Sequence, residues 1–287
     1  MPAAALALLL VAAVAHATWN FFAKGVRGSL AFTFAATTLA QIVYLPIAIV
    51  AFAVTRPSLG PEVWLFVIVS GALNAVYFVL LIEGYREGDL SLVYPIARGT
   101  GPALAVVGGI LIFNEHPSPA ALAGAGLVIA GIIGMSVSPH ALAAPGASRA
   151  VGLALLTGVC IASYTLWDNK GVTLITPVLY NYGLDGARAV ILAPPALATR
   201  DARARLREVI REQRTAIIAV AVLSPGAYIL VLAALTLAPV SYVAPAREIS
   251  ILFGAILGLH LLKERDAPRR LAGAGAIVAG IFALAIH

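Results

Sequence analysis

Arg98 and Arg247 lie inside apolar stretches of the chain, and Glu248 follows the second arginine directly. A charge at the centre of a membrane-inserted helix costs roughly 2.5–3.5 kcal/mol, so side chains of this kind mark functional sites by default. A guanidinium in such a place can capture a carboxylate or phosphate, while a carboxylate can hold an ammonium or a proton. Each arginine falls seven or so residues into its run, about 10 Å deep at helical rise. One such arginine could reach the surface along its aliphatic stem; two at the same depth argue for an interior role.

Pro95 and Pro245 precede the two arginines. Proline removes an amide donor and breaks a helix on its N-terminal side. A helix restarting there is expected to aim free N–H groups and its positive dipole end at an anion beside each guanidinium. Tyr94 and Gly101 share the face of Arg98, which predicts space for a ligand next to the charge. Asp185 and Arg188 are three residues apart and are expected to pair. Adjacent residues project about 100° apart on a helix, so Glu248 is expected to turn away from Arg247. It would hold Arg98 instead, or receive a substrate ammonium. The sum is one net positive site, which favours a ligand with at least one anionic group.

Polar aromatics supply further candidates. Trp19 and Asn20 end the first apolar run, and Trp167, Asp168 and Asn169 end the sixth; Asn74, Tyr77 and Tyr85 share one face of the third, and Tyr228 sits within the eighth. Trp and Tyr also form belts at membrane interfaces, which competes as a role for Trp19 and Trp167. Buried Asn74, Tyr77 and Tyr228 need bonding partners, which tilts them toward a cavity. His16 and His260 suit proton relay or plain packing. The chain has no H-E-x-x-H or G-x-S-x-G pattern and one cysteine, Cys160. No enzyme, metal site or cofactor is expected.

These residues are positioned by a chain that is 61% hydrophobic and 11% charged over 287 residues, against about 25% charged in soluble domains. Ten apolar runs are each near the length of a membrane-crossing helix: about 3–22, 31–53, 63–83, 91–113, 119–138, 150–169, 178–198, 215–237, 240–262 and 270–286. The fold class is therefore an all-α polytopic membrane protein, with the cell (inner) membrane as its place and lipid as its surroundings. Ala-His-Ala at 15–17 resembles a signal-cleavage site, but no Lys or Arg precedes the run, so a retained first span is expected. The net charge of +6 does not indicate nucleic acid, because the basic residues lie in loops beside the spans. Connections after odd-numbered spans hold 14 Lys/Arg, with Arg270 at the edge of the last run counted among them, and those after even-numbered spans hold 2, which places both termini outside. In 199–214, Ala202, Leu206, Val209 and Ile210 share one helical face, suggesting a short helix on the membrane surface or a solvated loop.

Shifted by 149 residues, the sequence overlays itself. Residues 97–132 against 246–281 give 13 identities in 36 positions, among them Arg98/Arg247, Gly109/Gly258, Glu115/Glu264 and Pro119/Pro268. Lys24-Gly25-Val26 and Lys170-Gly171-Val172 match at a slightly shorter offset. The units are 1–140 and 149–287, five spans each. An odd count makes the second unit enter from the opposite side, so two inverted five-helix repeats around a central cavity are expected, the plan of alternating-access carriers. Small-residue stripes Gly126/Ala130/Gly134 and Gly275/Ala279/Ala283 are expected to pack helices within the bundle or to form a dimer face; a monomer or weak homodimer is expected.

The pattern resembles the drug/metabolite transporter superfamily, in particular its ten-span EamA-type exporters. The resemblance rests on ATWNFFAKG, on GYREGDLSLVYPIARGTGPALAVVGGILIFNEHPSPAALAGAGLVIAGI and on APVSYVAPAREISILFGAILGLHLLKERDAPRRLAGAGAIVAGI. It implies a helical basket that exports amino acids, other metabolites or drugs, with Trp19, Asn20, Tyr77, Tyr94, Arg98, Trp167, Arg247 and Glu248 lining the cavity. It also implies cytoplasmic termini, opposite to the loop charges. The expected function is export of small zwitterionic metabolites, most simply amino acids, including aromatic or other hydrophobic ones. The alternative is proton-coupled efflux of lipophilic cationic drugs with Glu248 as the proton site.

Overall fold

The computed structural model describes residues 1–23, 29–88, 90–136, 147–253 and 267–286. Among them the chain is helical throughout: α1 (Ala3–Ala23), α2 (Leu30–Thr55), α3 (Pro61–Glu87), α4 (Leu90–Phe113), α5 (Pro119–Ser136), α6 (Ala147–Gly171), α7 (Pro177–Leu197), α8 (Arg200–Glu212), α9 (Arg214–Leu235), α10 (Val240–Ala246) and α11 (Ala267–Ile286). Helix is the form in which lipid leaves no backbone group unpaired. The starts are specified locally. The Ser29 hydroxyl accepts from Phe32 N at α2, Thr199 does the same for α8, and proline occupies the first position of α3 and α7.

Six helices, α1, α2, α3, α4, α6 and α9, are long and apolar enough to cross a membrane, and α5 and α11 hold shorter apolar stretches. The other two expected spans are less regular. Helix α7 carries Asp185 and Arg188, and the ninth run breaks after α10, with helical residues 249–253 following and the remainder outside the described residues.

The helices pair across the halves. Helix α1 lies along α9 and α3 along α6, while α2 packs on α7 and α5 on α11. Exchanging the halves maps the first two pairs onto each other and each of the last two onto itself. At the α5–α11 crossing a Cβ on Gly124 would stand 2.6 Å from Gly280 O, and one on Gly131 would stand 2.7 Å from Gly273 O. The contact register falls on one helix as it rises on the other, so these helices run antiparallel. Val128 and Ile277, fully buried, fill the space between the two glycine contacts.

This corrects the expected packing stripe. Gly126 and Gly275 meet nothing within 4 Å, and Ala130 and Ala279 are exposed. The contact runs instead through glycines seven residues apart on a neighbouring face, because two turns bring Gly124 and Gly131 back to the same side. Gly124→Val should therefore force the pair apart, costing about 1–3 kcal/mol as overpacking. Thermal unfolding in detergent should fall for this variant and stay near wild type for Gly126→Val.

The prolines also behave differently from expectation. Helix α4 continues through Pro95 and Pro102 without a break, as membrane helices do when neighbours re-satisfy the freed groups. The second arginine does lie at a break, but after Pro245: Glu248 N bonds Pro245 O at 3.1 Å and Ile251 N bonds Glu248 O at 2.9 Å. These tight three-residue bonds occupy the Glu248 and Ile251 amides, so neither is free for an anion. Helix α8 is the amphipathic surface helix; Leu206 and Val209 rest on Phe32, Ala35, Ala36, Ala216 and Ile217, and its arginines are exposed.

Candidate functional site

A cavity of about 100 Å³ opens between α1, α3, α4, α6, α7, α9 and the Arg247 turn. Of the ten site candidates, Trp19, Asn74, Tyr77, Arg98, Tyr228 and Arg247 line it. Asn20, Tyr94, Trp167 and Glu248 do not. Asn20 turns its amide nitrogen onto His16 O at 2.8 Å in its own helix. Tyr94 packs its ring 5.8 Å from the Arg98 guanidinium carbon. Gly101, expected to leave room for a ligand, is filled by α6, since a Cβ there would meet Ile161 at 2.5 Å.

Glu248 is fully buried beneath the two arginines. Its Oε2 pairs with Arg98 Nε at 2.9 Å across the two halves, and its Oε1 accepts from Arg247 Nε at 3.2 Å. The expected turn away from Arg247 is thus overturned. The residues sit in a break rather than in regular helix, and both side chains are long enough to curl together. One acid serves two repeat-related bases. Removing the acid is costly, because both buried arginines would keep their desolvation penalty with no opposite charge between them.

The arginines are steadied further by neutral groups. Arg98 Nη2 donates to Ser250 Oγ at 3.4 Å, and Arg247 Nη1 donates to Thr165 Oγ1 at 3.2 Å. The Arg247 guanidinium lies 5.9 Å from the Tyr164 ring centre, within cation–π range. Arg247 is a residue of the cavity wall, and its Nη2 is buried with no hydrogen-bond partner among the described residues; Trp19 Nε1, Arg98 Nε and Arg188 Nε share that condition. Arg188 Nη2 pairs with Asp185 Oδ1 at 2.7 Å, as the spacing predicts, and donates to Thr37 Oγ1 at 3.2 Å. Asp185 Oδ2 accepts from Asn181 Nδ2 at 3.3 Å. Donors are left over on this wall, whereas its one carboxylate among the described residues, Asp185, is engaged.

The two repeat-related tryptophans differ in use. Trp19 lies in the cavity wall with its ring 4.8 Å from that of His16, edge to face. Trp167 stacks on Phe66 at 4.4 Å and donates Nε1 to Phe66 O at 2.9 Å, joining α6 to α3. Tyr85 packs among Leu92, Val93 and Ala150, away from the cavity. His260 lies outside the described residues.

Three features escaped the sequence reading of the site. Tyr164, Phe78 and Asn181 line the cavity, yet nothing in an apolar run marks the facing of a lone aromatic or amide. Asp185 and Arg188 were expected as a pair but also form part of the wall. Asp168 is fully buried and gathers three hydroxyl donors, Ser70 Oγ at 2.5 Å, Tyr180 OH at 2.8 Å and Tyr228 OH. Its signal was an acid beside Trp167 in a run with few charges.

The repeated Glu of the E-x-x-x-P motif has a structural use. Glu115 accepts from Val240 N at 2.8 Å and Ser241 N at 2.9 Å, capping α10 at the far end from Arg247. Gly109 permits this approach, since a Cβ there would stand 2.6 Å from Glu115 Oε2. Its repeat counterpart Glu264 lies outside the described residues.

The model of the EamA-like transporter family matches residues 3–137 and again residues 148–286. A guanidinium exporter of Citrobacter freundii is 36% identical over 73 residues, 25% of this chain and 70% of that protein. A guanidinium exporter of Salmonella typhimurium strain LT2 is 47% identical over 65 residues, 23% of this chain and 62% of that protein. A solved crystal structure superposes with a TM-score of 0.78 at 15% identity, covering 100% of this chain and 98% of that one, which is a likeness of fold. With nearly all of the chain matched in two successive copies, the protein belongs to the EamA-like transporter family and is a multi-pass membrane transporter of small molecules.

Proposed function

We propose that the protein exports small zwitterionic metabolites, most simply amino acids, by alternating access between two inverted five-helix halves of residues 1–140 and 149–287. The observation that carries this reading is the unspent donor set on the cavity wall, above all the buried and unpartnered Nη2 of Arg247. A carboxylate placed there gains a charge-assisted bond, roughly twice the strength of a neutral one. Glu248 is ion-paired with both Arg98 and Arg247, so the ammonium falls to the Asp185 region, the carbonyl end of Asn74 and the rings of Tyr77, Tyr164 and Tyr228. The antiparallel crossing of the repeat-related helices α5 and α11 supports inversion of the halves. Glycine and proline in the spans would let the halves rock.

A second reading is export of a small organic cation in exchange for protons, favoured by the guanidinium exporters among the relatives. A cavity near 100 Å³ is smaller than the sites of several hundred Å³ that hold drug-sized ligands, so this reading fits compact cations better than bulky lipophilic drugs. Competition on the reconstituted protein separates the two. Labelled phenylalanine uptake into proteoliposomes should be reduced by other hydrophobic amino acids and left unchanged by guanidinium. Uptake of labelled guanidinium, with no uptake of phenylalanine, would transfer the assignment to the cation.

A further inference from the structure

Asp168 is wholly buried, and none of the ion pairs among the described residues involves it. Its partners are neutral hydroxyls from three helices, Ser70 of α3, Tyr180 of α7 and Tyr228 of α9. The other interior acids are committed differently: Glu248 holds two guanidiniums, and Asp185 holds Arg188. A proton taken up by either of those would strand a buried arginine. A proton taken up by Asp168 removes a charge that has no opposite partner, which makes it the interior acid best suited to bind one. Tyr228 both donates to Asp168 and lines the cavity, so its hydroxyl joins the buried carboxyl to the space where a solute would lie.

From this geometry we infer that Asp168 is a proton-binding site, filled from the cavity through the Tyr228 hydroxyl and coupled to the transport step. In the transfer, a hydronium in the cavity gives a proton to Tyr228 as Tyr228 passes its own to Asp168 Oδ2. Water remains, the tyrosine hydroxyl is restored and the carboxylate becomes a carboxylic acid. That acid now carries a donor where it had accepted from Tyr228, so the joint between α6 and α9 must rearrange. Other charged or titratable groups around the same cavity are Arg247, which reaches α6 one turn away at Thr165, Arg98 on α4, the Asp185–Arg188 pair on α7 and His16 on α1. No acid stands opposite Asp168 in the first half: Trp19 matches it at the 149-residue shift and Phe22 at the shift that aligns Lys24 with Lys170. Among the described residues the first half therefore holds no copy of this site.

The inference rests on the transport reading but not on the identity of the solute, and the experiment keeps the two apart. Infrared difference spectra of reconstituted protein, titrated with acid and no solute, should gain a protonated-carboxyl band. Asp168→Asn should lose that band, and Asp168→Glu should retain one at a displaced frequency. An unchanged band in Asp168→Asn, or no band in wild type, overturns the assignment. In proteoliposomes, a proton gradient should drive accumulation of labelled phenylalanine, and Asp168→Asn should reduce that drive by about tenfold or more, within the range of measured coupling between sites. Counterflow of phenylalanine, which needs no gradient, should persist in Asp168→Asn. Accumulation driven by a sodium gradient instead of protons, or gradient drive surviving in Asp168→Asn, refutes the coupling. Absence of phenylalanine counterflow in wild type would refute the amino-acid reading while the spectra still decide the proton site.

Discussion

Arg247→Ala should abolish phenylalanine uptake into proteoliposomes while the protein still inserts and elutes as a single folded species. The side chain has three nitrogens with three fates. Nε holds Glu248, Nη1 holds Thr165 and Nη2 is unspent. Removing it leaves Glu248 paired with Arg98 at 2.9 Å, so the interior loses a positive charge without stranding a negative one. A bound carboxylate would lose its charged partner, a loss of about 2–5 kcal/mol for truncated buried charge pairs, which is upward of about 30-fold in affinity. Arg247→Lys keeps the charge but loses the planar fork, so it should transport more weakly than wild type and better than the alanine variant. Size-exclusion profiles check folding, and initial rates of uptake check the role. Wild-type uptake by Arg247→Ala would reject the carboxylate assignment.

Glu248→Gln should damage the protein itself. The substitution is nearly isosteric, yet it leaves Arg98 and Arg247 buried with no acid between them among the described residues. Breaking a buried pair by removing one partner costs about 3–5 kcal/mol, a large fraction of the stability of any domain. The expected outcome is a low yield of monodisperse protein and a thermal transition well below wild type. Adding Arg98→Gln to Glu248→Gln should recover part of that loss, because one of the two stranded charges is gone. The recovery would be a non-additive effect, as expected for side chains in contact. A single Glu248→Gln variant as stable as wild type would show that water or lipid phosphate, not this carboxylate, balances the arginines.

Some of this could be read from the residues alone. Apolar runs of the right length gave most of the helices, because lipid imposes one backbone solution on them. The shared Arg, Glu and Pro positions exposed the duplication, since composition bias does not align charges. Asp185 with Arg188, and Glu248 with Arg98, followed from charge scarcity in an apolar interior. The facing of each helix was much less legible. In a soluble protein a polar face marks the outside, but lipid-facing and bundle-facing residues are chemically alike in a membrane. Hence the glycine stripe at Gly126 and Gly275 looked like a packing seam, while the real seam ran through Gly124 and Gly131. Gly101 looked like space for a ligand and proved to be space for Ile161. Asp168 could be named as a neighbour of Trp167 but not given its role, because its three hydroxyl partners come from three other helices and no local spacing connects them.

Glu248 has no twin, because Gly99 stands at its place in the first half. A carrier whose halves trade postures would spend equal time open to either side only if the trade were chemically neutral. Glu248 belongs to one half and clasps a base from each, so in the proposed alternating-access cycle the two postures would differ in energy, and the unloaded molecule would have a favoured side on which to wait. On that proposal duplication supplies the symmetry for the swing, and an unmatched side chain gives it a preferred end.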